Sequence, residues 1–237
     1  MRKLFVDELK RLHVRFSEMG INVNEQIYNA TTAFINHDKV VAKEVITNDN
    51  NTDSEEMNLE KQALELIALQ QPVATDFRVI ISILKASSDL ERIGDHAVGI
   101  ARETILEKGE ERVPEVEKEI ALMTNKIREM LGGVLDAYSE TDADKAGEVA
   151  KDDIIVDQLY LEIREKIIQA LKQNPKVAKA SSSYLLVIKL LERIGDHIVN
   201  IAEWIVYSSD GKIVELNPGK SDPKLLREIV SGTIGER

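Results

Sequence analysis

Four pairs of carboxylates recur in the sequence at a spacing of four residues, which puts both members of a pair on the same face of a helix. The pairs are Asp49 with Asp53, Glu91 with Asp95, Asp153 with Asp157, and Glu192 with Asp196. Clustered carboxylate oxygens bind hard or intermediate cations such as iron, manganese and magnesium, and zinc less typically. The spacing therefore predicts metal binding, and no sequence motif indicates a catalytic nucleophile.

These pairs belong to an internal duplication. The sequence Leu-Glu-Arg-Ile-Gly-Asp-His occurs at residues 90–96 and again at 191–197, an offset of 101. The aspartate pairs that precede the two copies are related by an offset of 104. Such a repeat predicts two similar structural units. We expect the first over residues 1–108 and the second over residues 114–208.

Apolar residues recur at helical spacing through both units, in three runs each. We therefore predict an all-α fold of two tandem three-helix bundles, with six long helices. The fifth helix is predicted over roughly 142–173, with Thr141 or Asp142 at its start. Residues 209–237 form a polar tail in which a short amphipathic helix is predicted to begin near residue 222.

The aspartate pairs adjoin the apolar stripes of the second helix of each half. Val41 and Val45 lead in steps of four to Asp49 and Asp53, so these aspartates lie on or next to the core-facing side. An isolated carboxylate is costly there unless it is paired or bound to a metal. The neighbouring third helix adds two more carboxylates, and four exceed what one ion needs. We therefore expect a multinuclear site in each half.

Each copy of the repeated motif contains a glycine in the middle of a helix, Gly94 or Gly195. Glycine costs about 1 kcal/mol relative to alanine at such a position. Its presence in both copies predicts that something approaches the backbone closely there. That group is either a neighbouring helix or a bound ion.

Four basic residues accompany the carboxylates. His96 and His197 directly follow the last aspartates, and they are candidates to bind the metal or to donate hydrogen bonds to its ligands. Arg92 and Arg193 lie inside the motifs and are candidates for the same supporting role. A simpler interpretation is also open, in which the arginines neutralise a solvated helix face without any ion.

Composition restricts the compartment and the partners. The 237 residues include 42 acidic and 31 basic side chains, and the net charge of −11 disfavours a nucleic-acid partner. The absence of cysteine excludes a thiolate metal site and suits a reducing compartment. Charged residues interrupt the first apolar run at once, and no run of 18 apolar residues occurs. We expect a cytoplasmic protein without direct membrane insertion.

The motifs together resemble the PhoU family, the accessory regulators of bacterial phosphate transport. Residues 90–96 and 191–197 resemble the Leu/Ile-Glu-Arg-Ile-Gly-Asp signature of that family, and residues 71–76 resemble its Gln-Pro-x-Ala-x-Asp turn. The resemblance covers about residues 1–208. It implies two three-helix bundles, each with acidic pairs on adjacent helices.

The resemblance also implies how the protein works. It implies multinuclear metal clusters on the eight carboxylates, for which we expect iron, with zinc, manganese or magnesium as alternatives. It implies a homodimer that associates with the ATPase subunit of the phosphate ABC transporter and with the phosphate-sensing histidine kinase. The expected output is negative regulation of phosphate uptake and of the phosphate-starvation response, without enzymatic turnover.

Two other functions stay open at this point. A metal-dependent, all-helical phosphohydrolase would also hold Mg²⁺ with carboxylates on adjacent helices. Against it, the only candidates to hold substrate phosphates are Arg92 and Arg193 with scattered lysines such as Lys85 and Lys189, and no lysine cluster recurs in both halves. A metal-free helical scaffold would keep the bundles and lack the metal sites.

Overall fold

Helices make up nearly all of the chain that the structure, a computed structural model, describes, which is residues 2–106 and 111–217. These ranges contain no strand, so the predicted all-α fold is confirmed. The helices are α1 (Arg2–Asn36), α2 (Lys39–Gln70), α3 (Ala74–Leu106), α4 (Pro114–Glu140), α5 (Ala143–Lys151), α6 (Asp153–Gln173) and α7 (Ala178–Asp210), and a 3₁₀ turn (Pro175–Val177) precedes α7.

Helices α1 and α4 occupy the same place in two copies of one bundle. The buried residues of α1 recur in α4 at the offset of 104 that also relates the aspartate pairs. The buried counterparts are Phe16/Ile120, Met19/Met123, Val23/Ile127, Ile27/Leu131, Ala30/Val134 and Phe34/Tyr138. Since each pair is buried in both halves, the two cores share one register, as a tandem duplication predicts.

Short connections fold each half back on itself. Helices α1, α2 and α3 pack against one another in the first half, and α4, α6 and α7 do so in the second, where α5 contacts α4 and α7. Only His37 and Asp38 separate α1 from α2, and Asp38 Oδ1 accepts hydrogen bonds from the backbone N–H of Val40 and Val41. This N-cap begins α2 directly after the turn, so successive helices run antiparallel.

The predicted fifth helix is present but interrupted. Asp142 is its N-cap, accepting a hydrogen bond from the Lys145 N–H, and the helix breaks at Asp152 into α5 and α6. The carboxylate of Asp152 binds Lys126 Nζ of α4 at 2.8 Å. The Asp152 N–H bonds to the carbonyl of Val149, three residues back, so the backbone tightens locally instead of continuing as a regular α-helix. The predicted uninterrupted helix was wrong on this point.

The two halves meet mainly along α3 and α7, the helices that contain the repeated motif. A Cβ built on Gly99 would lie 3.0 Å from Leu190 Cδ1, so α7 packs closely on α3 there. Elsewhere on the same interface, Asn200 Nδ2 donates a hydrogen bond to Asp89 Oδ1 at 2.9 Å. The helices with the acidic motifs therefore also hold the halves together.

After α7 the chain reverses at Gly211, whose φ of 73° is readily adopted by glycine. Residues 211–217 lead back to the second bundle, where the backbone N–H of Leu216 donates to Glu203 Oε1 of α7. The helix predicted near residue 222 lies outside the described residues. Within residues 2–106 and 111–217, no helix combines the length and the apolar character needed to cross a bilayer.

Two adjacent glycines of α4 allow a matched test of this packing. A Cβ at Gly132 meets no atom within 4 Å, whereas one at Gly133 lies 2.9 Å from Val149 Cγ2 of α5. We expect G132A to raise the free energy of unfolding by about 0.5–1 kcal/mol, because alanine is the better helix former. We expect G133A to be less stable than G132A, because the stiff valine has to shift. Urea denaturation checks this, and equal stabilisation by both variants would contradict the α4–α5 contact.

Candidate metal centres

The first acidic cluster lies between α2 and α3, where the structure brings together the four predicted carboxylates of the first half. Burial raises the pKa of the Asp49 carboxyl, and the negative charges of Asp53 and Asp95 raise it further. Burial also raises the pKa of Glu91, followed by repulsion from Asp95. Each negative charge therefore disfavours the others, and the positive charge of Arg102 offsets only part of this effect at Asp49.

A second arginine, Arg92, contacts two of the carboxylates directly. Arg92 Nη1 lies 3.3 Å from Asp95 Oδ2, and Arg92 Nε lies 3.6 Å from Glu91 Oε2. The arginine side chain is 60% exposed. Solvent screening therefore keeps these ion pairs weak. This arrangement agrees in part with the simpler interpretation, since Arg92 contacts carboxylates, but the pKa values of Asp49 and Glu91 stay raised beside it.

The motif glycines make room for a neighbouring helix. A Cβ on Gly195 would lie 2.5 Å from Asp153 Oδ1 of α6, so no side chain fits there without a shift. A Cβ on Gly94 would lie 3.2 Å from Gln26 Oε1 of α1 and 3.9 Å from Asp49 Oδ1 of α2. Of the two groups that the sequence left open, the neighbouring helix is the one that occupies this space.

The second acidic cluster lies between α6 and α7. Burial raises the pKa of Asp157 to about 6, helped by the negative charges of Glu192 and Asp196 and opposed by Lys189. Lys189 Nζ lies 2.6 Å from Glu192 Oε2. Asp153 is almost completely buried and accepts a hydrogen bond from the side chain of Asn217.

Sequence reasoning did not place Arg102 and four further residues at these clusters. Glu56, two turns after Asp49 on α2, adds negative charge near Glu91, and its spacing could have indicated this. Lys189 stands three residues before Glu192, which is also a readable helical spacing. Gln26 and Asn217 had no such signal, because each reaches its cluster from a segment distant in sequence.

The two histidines lie where the halves meet. The ring centroids of His96 and His197 are 5.4 Å apart, and His197 Nδ1 lies 2.8 Å from Asp89 Oδ1. Burial lowers the pKa of His96 to about 4, followed by the positive charges of His197 and Arg193. These contacts show a polar link between α3 and α7, and a role of the histidines and of Arg193 beside a metal stays a prediction.

The donor chemistry of both clusters fits a cation, although no ready-made ion site is present. In the part of the chain that the structure describes, no three His, Asp or Glu side chains already converge as metal ligands do. Against this, Asp49, Glu91 and Asp157 all have raised pKa values, with repulsion from neighbouring carboxylates among the causes. A bound cation would relieve that repulsion. The ligand role of the eight carboxylates therefore stays a prediction.

Fold and clusters together define a class of protein: an all-α chain built from two copies of a three-helix bundle, each with an acidic cluster on its second and third helical segments. A family model described as the PhoU domain matches the chain twice, over residues 16–104 and 120–205. The chain belongs to the PhoU family.

Relatives and solved structures agree with this assignment. A protein of Clostridium acetobutylicum named phosphate-specific transport system accessory protein PhoU homolog is 39% identical over 217 residues, which is 91% of this chain and 99% of that relative. A Streptococcus pneumoniae protein of the same name is 35% identical over 92% of this chain and 100% of its own length.

Two crystal structures share the fold. The phosphate transport system regulatory protein PhoU from Streptococcus pneumoniae matches with a TM-score of 0.84 and 33% identity, covering 89% of this chain and 99% of that one. PhoU from Pseudomonas aeruginosa matches with a TM-score of 0.82 and 33% identity, covering 88% and 100%.

The raised pKa of Asp157 predicts a pH-dependent loss of stability. Its pKa rises from 3.8 to about 6 on folding. Between pH 3.8 and about 6 the folded chain holds a proton that the unfolded chain has lost. The protonated Asp157 therefore adds to the free energy of unfolding below pH 3.8, and this stability is lost as the pH rises through about 6. We expect D157N to remove that decline, so that the variant gains stability over the wild type at pH 7.

Urea denaturation at pH 4 to 7 in the presence of a chelator measures the free energy of unfolding of D157N and of the wild type at each pH. D136N, at an aspartate of α4 whose side chain is 71% exposed, is the control and is expected to follow the wild type. An unchanged pH profile in D157N would contradict the raised pKa.

Proposed function

We propose that this protein is a metal-binding, non-enzymatic adaptor that negatively regulates phosphate uptake and the phosphate-starvation response. In this proposal it acts in the cytoplasm as a homodimer. It couples the ATPase subunit of the phosphate ABC transporter to the phosphate-sensing histidine kinase. The observation that carries the proposal is a mutually repelling carboxylate cluster at the same place in both halves of a PhoU fold.

The metal part of the proposal rests on charge. Asp153 is buried and most of the other cluster carboxylates are partly buried, and neighbouring carboxylates raise the pKa of Asp49 in the first cluster and of Asp157 in the second. Their donors are oxygens that suit iron, manganese, magnesium or zinc. The residues that would hold the ions are Asp49, Asp53, Glu91, Asp95, Asp153, Asp157, Glu192 and Asp196. Iron is the metal that we expect first.

The adaptor part rests on relatives and on the surroundings of the clusters. The relatives above are named accessory and regulatory proteins of phosphate transport. Next to the clusters, Arg92 and Lys189 both contact cluster carboxylates. A phosphohydrolase would use such groups to hold substrate phosphates. This favours an adaptor over an enzyme.

Metal content of protein purified without chelators or a metal-affinity tag tests the first part. We expect about two or more metal atoms per chain, since four carboxylates exceed what one ion needs. The double variants E91A/E192A and D95A/D196A are expected to lose that metal, measured by elemental analysis.

The control removes two carboxylates at the same spacing outside the clusters. Asp136 and Glu140 lie on α4 with side chains 71% and 57% exposed, so D136A/E140A should keep the full metal content. Substoichiometric metal that does not change in the cluster variants would refute the metal sites and leave a metal-free scaffold.

Binding to the transporter tests the second part. We expect the purified protein to bind the ATPase subunit of the phosphate transporter and the sensor kinase from the same organism in a pull-down. Failure to bind either one would refute the adaptor role. Hydrolysis of a panel of nucleotides and phosphate esters, abolished in D95A/D196A, would establish the phosphohydrolase instead.

A further inference from the structure

The two clusters differ at residues that the duplication places in equivalent positions. At the offset of 104 that pairs the buried faces of α1 and α4, Gln26 corresponds to Met130. At the offset of 101 that pairs α3 and α7, Lys189 corresponds to Ser88. Only the first half therefore has a polar oxygen beneath its carboxylates. Both halves have a cation beside theirs, but Lys189 lies 2.6 Å from Glu192, whereas Arg92 lies 3.3 Å from Asp95.

Gln26 presents a buried oxygen to the first cluster. The residue is only 9% exposed, and its Nε2 donates a hydrogen bond to Thr52 Oγ1 at 3.0 Å. In the described part of the chain no group donates a hydrogen bond to Gln26 Oε1. This oxygen lies beside Gly94. It is 3.2 Å from the position that a Cβ would take there, and Asp49 Oδ1 is 3.9 Å from the same position. A buried carbonyl oxygen without a donor is unfavourable unless a cation or another donor reaches it.

In the second cluster, neutral or positively charged side chains already pair with one oxygen each of two carboxylates. The ammonium group of Lys189 pairs with Glu192 at 2.6 Å. The side chain of Asn217, which is 7% exposed, donates to Asp153 Oδ2. A cation that binds these carboxylates competes with the lysine for Glu192 Oε2 and with the asparagine for Asp153 Oδ2.

We infer that the two clusters bind divalent cations unequally: the first is the strong site and includes Gln26 Oε1 as a neutral oxygen ligand, and the second is weakened by Lys189 and Asn217. This inference rests on the proposed metal-binding function. The ligand class is a divalent cation that accepts all-oxygen coordination, such as Mn²⁺ or Mg²⁺.

Titration of chelator-stripped, full-length protein with Mn²⁺ tests the inequality. The variant D153N/D157N isolates the first cluster, and D49N/D53N isolates the second. We expect the first cluster to bind Mn²⁺ at least about tenfold more tightly than the second, in the range by which residues around metal ligands change affinity. Free Mn²⁺ is measured by electron paramagnetic resonance.

Swapping equivalent residues tests the cause. In D153N/D157N we expect Q26M, which installs the residue of the other half, to weaken Mn²⁺ binding about 10–100-fold. In D49N/D53N we expect K189S or N217A to strengthen Mn²⁺ binding. A misfolded variant would bind Mn²⁺ more weakly, so misfolding would not explain an increase. Q169M, at an exposed glutamine of α6, is the control and should change neither site. Thermal denaturation of each apoprotein checks that the variants are folded.

The outcomes separate this inference from the proposed function. Equal Mn²⁺ affinities of the two half-site variants would overturn the inequality and leave the metal-binding function intact. Wild-type affinity in folded Q26M would overturn the ligand role of Gln26. No Mn²⁺ binding by the wild type would overturn the inference. Absence of metal from the purified wild type in elemental analysis would overturn the proposed function as well.

Discussion

The close approach of two helices at a glycine is the constraint on which both acidic clusters depend. Asp153 Oδ1 occupies space that any side chain at position 195 would need, and Asp49 and Gln26 approach Gly94 in a similar way. Because the helices touch there, Asp153 is buried and Asp49, Glu91 and Asp157 are partly buried. Burial and the neighbouring negative charges raise the pKa values of the last three. A wider spacing would return them to water, where the repulsion would be screened.

This constraint also explains why a residue of low helix propensity, glycine, occupies the middle of α3 and of α7. Glycine is unfavourable in a helix interior. The same two helices form the main contact between the halves, with His96 next to His197. One helix in each half therefore presents its glycine and carboxylates to its own bundle and its histidine to the other.

Much of the fold was predictable because periodicity and duplication are local signals. The helices followed from buried stripes such as Phe16 to Phe34, and the motif at residues 90–96 indicated a repeat at 191–197. The grouping of the carboxylates in each half followed from their spacing. The break at Asp152 was not predictable, since it lies at a residue whose carboxylate pairs with Lys126 of another helix. The contact of Asn217 with Asp153 was not predictable either, because 64 residues separate the two in sequence.

The interface between the halves has a further property, which concerns its symmetry. The offset of 101 converts Asp89 into Leu190 and Gly99 into Asn200, so the hydrogen bond from Asn200 to Asp89 and the packing of Leu190 on Gly99 are the same contact seen from its two sides. One side has become polar and the other apolar. Two first halves would place an aspartate against a glycine, and two second halves a leucine against an asparagine. Each half is thus matched to its opposite and mismatched to its own copy, which disfavours exchange of like halves between chains during folding.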